Sequence, residues 1–308
     1  MNKYFKVIIL LFVLVLFTGC NSVNKSKYTI VATNFPCYDF VRAIIKDVDD
    51  IEVKMLIKPG SEIHSYEPTP QDIIDIENSN LFVLVGGESD SWIDDVLNNI
   101  DTSNTKIIKL MDLVKVVYEE SVEGMEEEKE EELEYDEHVW TSPKNAITIV
   151  EKLKEEIINI DKDNKELYEE NASKYILEIE KIDKEIREVV NNSLRKELIF
   201  GDRFPFRYFT DEYNLTYYAA FKGCSESSEA SAKTISFLVD KIKKDKIPVV
   251  LHLELSTGKI AETLKEETGV KVLELNSSHN ISEKDFESGI TYVDIMKRNI
   301  EVLKEALN

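Results

Sequence analysis

The apolar positions of this chain follow two patterns. Short runs rich in Val, Ile and Leu lie at 28–35, 51–57, 81–85 and 106–110, then at 197–200, 216–221, 249–255 and 271–275. Each is strand-sized, and segments of helical period separate them, which predicts parallel sheets in an α/β fold. Four strands, an interval and four more strands predict two similar lobes. The interval itself differs. Between residues 144 and 200 there is neither Gly nor Pro, which predicts uninterrupted helix. There, Tyr168, Ala172, Tyr175, Ile179, Ile182, Ile186 and Val189 recur at steps of four and three, one apolar stripe on a long helix. A stripe of about three heptads is short for a coiled-coil arm, so the helix is expected to pack across both lobes as a stiff connector. The fold class expected is α/β: two lobes, each a mainly parallel four-stranded sheet with flanking helices, joined by one long helix.

The first residues are apolar for a different reason. Lys3 and Lys6 lead into Val7 to Phe17, eleven apolar residues in a row. As a helix that run is about 16 Å long, too short for a hydrocarbon core of roughly 30 Å. It reads as a secretion signal, not a span. It ends in Phe17-Thr18-Gly19-Cys20, which resembles the lipobox of bacterial lipoproteins, with Phe17 where that pattern prefers Leu. The expected division is a signal peptide at 1–19, lipidation at Cys20 and a tether at 20–27. An N-terminal lobe (28–143), a helical region holding the long linking helix (144–196) and a C-terminal lobe (197–308) follow. An ordinary cleaved signal with an incidental Cys20 is the alternative. Either way the mature chain is expected outside the cytoplasm, and a lipid would hold it at the cell membrane.

Charge narrows the choice of partner. The 308 residues carry 38 Lys and Arg against 60 Asp and Glu, a formal net charge of -22. Such a surface repels phosphate backbones and excludes a nucleic-acid binder. Twelve of the acidic residues stand between 119 and 137, with one lysine among them. Like-charge repulsion predicts an extended, mobile loop there, either simply solvated or collecting cations weakly. Cysteines add little: Cys20, Cys37 and Cys224 contain no CxxC pair. Cys37 and Cys224 are expected as buried free thiols, with a shared metal or disulfide role as the alternative.

Four histidines are the candidates for chemistry. His64 lies on a loop that runs into Thr69-Pro70-Gln71-Asp72, an N-cap, a proline at the first helical position and a capping-box acid. His138 precedes Ser142-Pro143, a second helix start of the same kind, and His279 follows the last strand run. The carboxyl ends of parallel strands are where α/β sheets bind ligands. Three imidazoles there plus a carboxylate suit a tetrahedral zinc site, although the spacing also fits unconnected surface histidines. His252 sits inside Val249-Val250-Leu251-His252 and reads as a hydrogen-bonded strand residue.

The segments Pro59 to Ile73, a PG…HxYEPTPxDI pattern, and Asp136 to Ala146, DxHVWxSPKNA, resemble the zinc/manganese solute-binding lipoproteins of bacterial metal ABC importers. The resemblance extends over the mature chain, including the central helix and the run from Gly289 to Asn299. It implies two lobes joined by a rigid helix, a metal held between them, delivery to a membrane permease, and His64 and His138 as N-lobe ligands. The C-lobe departs from the pattern. Arg203 stands where the family places a His or Glu, and a guanidinium cannot coordinate a cation. His279 is therefore expected as the C-lobe ligand, with Asp202 or water completing the set. Arg203 is expected either to hold a carboxylate such as Glu137, which would orient His138, or to make a plain structural ion pair. Three nitrogens favour Zn2+ over Mn2+.

The function expected is an extracytoplasmic, monomeric zinc-binding lipoprotein of an ABC importer, not an enzyme. A zinc hydrolase is the first alternative, but it calls for a base beside an open site, and no HExxH pattern occurs. A surface adhesin on the same scaffold is the second.

Overall fold

The eight expected strands all form, and they assort into two sheets. The computed structural model describes residues 26–61, 63, 66–126, 134–225 and 229–308. The signal segment, Cys20, His64 and residues 127–133 of the acidic stretch lie outside them. The first sheet contains β1 (Tyr28–Ala32), β2 (Ile51–Met55), β3 (Leu81–Leu84) and β4 (Lys106–Lys109) in the order β2-β1-β3-β4. The second contains β5 (Glu197–Phe200), β6 (Thr216–Ala219), β7 (Val249–His252) and β8 (Lys271–Glu274) in the order β6-β5-β7-β8. Every pairing is parallel, with Tyr28 opposite Ile51 in one sheet and Glu197 opposite Thr216 in the other. The same strand order twice makes the lobes alike.

Helices cover the sheets. In the N-terminal half these are α1 (Phe35–Ile44), α2 (Pro70–Glu77) and α3 (Trp92–Leu97). The connecting region holds α4 (Pro143–Ile160) and α5 (Lys165–Asn192). The C-terminal half adds α6 (Arg207–Tyr213), α7 (Ala232–Asp245), α8 (Lys259–Thr268), α9 (Glu283–Glu287) and α10 (Tyr292–Ala306). The two proline-marked starts behave as expected: Thr69 and Asp72 complete a capping box on α2, and Ser142 caps α4 by accepting from the Asn145 N–H.

The linking region differs from expectation in one respect. It is not one helix, because Asp161 ends α4 without help from Gly or Pro. Its carboxylate accepts from the Asp163 N–H (3.2 Å), Asn164 Nδ2 (2.7 Å) and the Tyr168 hydroxyl (2.7 Å). A side chain that satisfies local donors competes with the helix ladder. The second helix is the long one. It buries Tyr168, Ala172, Tyr175, Ile179, Ile182 and Ile186, and the stripe ends on Val190 rather than Val189.

That stripe packs on α1 of one half and α10 of the other, so the connector bears on both lobes. Polar contacts fix the junction. Asp39 of α1, fully buried, accepts from the Tyr175 hydroxyl of α5 (2.6 Å) and the Tyr292 N–H of α10 (2.8 Å). Arg42 bonds Asp39 and donates to the Ile290 carbonyl (2.6 Å). The Gly60 N–H donates to the Ile281 carbonyl (2.8 Å), closing a second crossing.

The acidic stretch is not free where it is described. Tyr118 and Tyr135 pair across its base with stacked rings, and the Glu119 N–H donates to the Glu134 carbonyl. Farther out, the Glu126 N–H donates to Ala220, and its carboxylate accepts from the Ser231 N–H and the Thr234 hydroxyl at the start of α7. Carboxylates suit helix N-termini, where backbone N–H groups lack partners. The expected extended loop is therefore docked on the second lobe at this point. No helix among the described residues is long and apolar enough to cross a membrane.

Candidate metal centre

Both sheets present their carboxyl edges to one cavity of about 180 Å³, lined by His138, Arg203, Gly223, Glu254, Ser277 and His279 among others. The fold places these residues through ordinary connections. His138 stands on the short turn before α4, and His279 follows β8. Glu254 follows β7, while Asp202 and Arg203 follow β5.

Glu137, His138 and His279 converge. One potential ligand atom from each lies within 4.8 Å of the other two, and all three residues are buried. His279 Nε2 is 3.8 Å from Glu137 Oε1, and the two imidazoles meet edge to face with centroids 5.0 Å apart. A tetrahedral zinc site with bonds of about 2.1 Å has ligand atoms roughly 3.4 Å apart, so the donors need draw in by only about an ångström. Imidazole, imidazole and carboxylate are a zinc-type set.

Neighbours fix each donor. His138 Nδ1 lies 3.2 Å from Asp136 Oδ1, which also accepts from the His138 N–H (2.8 Å). That pairing leaves Nε2 for an ion, the usual carboxylate–histidine–metal relay. Burial pushes the His138 pKa down, but the Asp136 charge and hydrogen bond, with Glu137 and Glu119 beyond, outweigh it and leave it above 6.5. Glu137 accepts from the Ser89 N–H (3.0 Å) and from the Ser89 hydroxyl. Gly87 leaves room for it: a Cβ there would stand 2.3 Å from Glu137 Cβ. The His279 ring lies against Trp140, whose indole N–H crosses between lobes to the Ser277 carbonyl (2.8 Å). Behind it, the carboxylate of Glu254 accepts from the N–H groups of Ser277 (2.7 Å) and His279 (3.1 Å). Burial raises the Glu254 pKa to about 7 despite those donors.

Two expected relations differ. Asp202 does not join the group; it stays beside β5 and β7, its oxygens accepting from the N–H groups of Arg203 (2.9 Å) and Leu253 (3.2 Å). Arg203 lines the cavity, but its guanidinium reaches the Ser225 carbonyl (3.3 Å), and Ser89 holds Glu137 in its place. Glu137 thus stands among the donors instead of behind them. Cys37 and Cys224 are both free, Cys37 inside the first lobe and Cys224 with its N–H on Glu119 (3.0 Å). Burial first, and then the carboxylates of Glu137, Glu119 and Asp136, push the Cys224 thiol well above its ordinary range. His252 ends β7 with Nδ1 2.9 Å from the Leu253 carbonyl, as a strand histidine should. The sequence reading missed Ser89, Gly87 and the part played by Glu254, none of which carries a local signal.

Residues 30–306 match the family described as ZnuA, zinc-uptake complex component A, periplasmic. The chain is 32% identical over 297 residues to the high-affinity zinc uptake system protein ZnuA of Bacillus subtilis, covering 94% of this chain and 90% of that protein. It is 31% identical over 282 residues to the zinc-binding lipoprotein AdcA of Streptococcus pneumoniae, covering 91% of this chain but only 56% of AdcA. The crystal structure of the Zn(II)-bound ZnuA-like domain of that AdcA superposes with a TM-score of 0.76 at 29% identity, over 92% of this chain and 99% of the other.

Proposed function

The chain belongs to the ZnuA family of periplasmic zinc-uptake components, and on that premise we propose that it captures a zinc ion between its lobes and passes it to the membrane permease of an ABC-type importer. The observation that carries this reading is the convergence of Glu137 and His138 from one lobe with His279 from the other. An ion held by both lobes is bound when they meet and released when they part. His64, on the loop after β2, is proposed as a further ligand on the strength of its motif. Asp202 is left out, since its oxygens are not among the donor atoms that converge. Arg203 keeps a supporting place in the cavity wall.

Zinc is favoured over manganese because imidazole nitrogen dominates the donor set, whereas manganese prefers carboxylate oxygen. Coordination and release make and break only metal–ligand bonds and change no covalent bond of a substrate, so the protein acts as a carrier and not an enzyme. Residues 28–143 and 197–308 serve as the two jaws, with 144–196 between them. Cys20 carries the lipid that holds a monomer at the outer face of the cell membrane. The test is metal content by mass spectrometry after purification without added metal, followed by competitive titration of zinc and manganese. One zinc per chain and weaker manganese binding are expected. Absence of zinc binding, or a preference for manganese, would refute the assignment.

A further inference from the structure

Ser278, just before His279, is buried and adopts φ +63°, a left-handed conformation that a side chain disfavours. Such a residue persists only where its surroundings enforce it. The N–H groups on either side of it, those of Ser277 and His279, turn toward one carboxylate, Glu254. The Ser277 hydroxyl bonds the same carboxylate, and Asn276 Oδ1 takes the Ser278 N–H (2.8 Å). Successive N–H groups around a left-handed residue form a concave anion nest. Here the anion comes from the protein itself, two residues beyond β7.

We propose that Glu254 is a positioning residue for zinc capture: as the internal anion of the 277–279 nest, it holds Ser278 left-handed and thereby aims the His279 imidazole at Glu137 and His138. This rests on the zinc reading above, with His279 as a ligand. The arrangement explains why a carboxylate stands buried beside a metal cavity without joining the donor group. A buried carboxylate is expensive unless donors surround it, and three donors from the His279 loop do so. Without Glu254 the nest loses its anion, the turn relaxes toward right-handed or extended backbone, and His279 leaves its station. From the opposite lobe, Trp140 holds the Ser277 carbonyl, so the loop is fixed from both sides.

The test is a zinc competition titration of the full chain as wild type, Glu254→Gln, His279→Ala and the double variant. Gln keeps the size but replaces one acceptor oxygen with a donor that faces the nest N–H groups. Glu254→Gln should weaken zinc binding about 10- to 100-fold, the usual effect of losing a support behind a metal ligand. In the His279→Ala background the same substitution should change affinity less than about twofold, because no ring remains to aim. A merely structural role would produce equal losses in both backgrounds and would overturn the proposal. So would wild-type affinity in Glu254→Gln or in His279→Ala. If Glu254→Gln does not fold, Ser277→Ala, which removes one donor to the carboxylate, must show a smaller loss that also vanishes with His279→Ala. Wild-type protein that binds no zinc would refute the zinc reading itself, whereas normal wild-type binding with an indifferent Glu254→Gln refutes only the positioning role.

Discussion

Gly87 is the tightest point behind the candidate ligands. An added Cβ would lie 2.3 Å from Glu137 Cβ and 2.3 Å from Glu137 Oε2. The backbone there has φ -94°, which any residue adopts, so Gly87→Ala introduces a collision without strain of its own. Glu137 cannot swing away as a surface side chain would, since it is fully buried and bonded to Ser89. Overpacking a filled interior costs about 1–3 kcal/mol. The backbone around Gly87 and Glu137 must therefore shift apart in the metal-free protein, and zinc must then draw Glu137 back into the donor group. The cost reappears as affinity, a loss of about 5- to 150-fold at 1.36 kcal/mol per decade. Competition with a chromogenic chelator measures it, and circular dichroism confirms the fold. Gly87→Ala protein with native structure and wild-type zinc affinity would show that Glu137 is not needed in the donor group.

Protons compete with zinc for His138, whose pKa lies above 6.5, so affinity should begin to fall above that pH as the solution is acidified. Asp136→Asn removes the nearest carboxylate and should move that onset to lower pH while weakening binding about 10- to 100-fold through lost orientation; a pH series of zinc titrations checks both. Asp90, buried beside β3, has its pKa raised from 3.8 to about 7, chiefly by burial. The folded state therefore holds a proton that the unfolded chain gives up, and stability falls between about pH 4 and pH 7, by on the order of 4 kcal/mol from this group. Asp90→Asn should flatten that slope in urea denaturation at pH 4.5 and 7.5, and an unchanged slope would contradict the assignment. Finally, Cys20→Ser should release the protein from the membrane fraction on fractionation.

The strands were legible because parallel strands buried on both faces need continuous Val, Ile and Leu, as Leu81–Leu84 shows. Helix starts were legible where a capping side chain preceded a proline, at Thr69 and Ser142. The break at Asp161 was hidden, since it depends on one carboxylate choosing nearby donors and not on a residue that forbids helix. The drift from Val189 to Val190 reflects a pattern extended too far at alternating steps, where a period of 3.6 placed the last member one position later. At the site, His138 and His279 could be singled out because each stands by a strand end or a helix start. Their supports could not. Ser89 and Glu137 are 48 positions apart, and only the folding of the first lobe brings them together. Its place at the resembling family's ligand position suggested that Arg203 would hold a carboxylate such as Glu137; the guanidinium donates to the Ser225 carbonyl, and Ser89 bonds Glu137.

Anomalous diffraction at the zinc absorption edge, from crystals of the zinc-loaded protein, tests the central claim most directly. The account predicts one strong peak between the lobes, about 2.0–2.1 Å from a nitrogen of His138 and a nitrogen of His279, with a Glu137 oxygen at a similar distance. A peak away from these three side chains, or one that touches donors from a single lobe only, would contradict it.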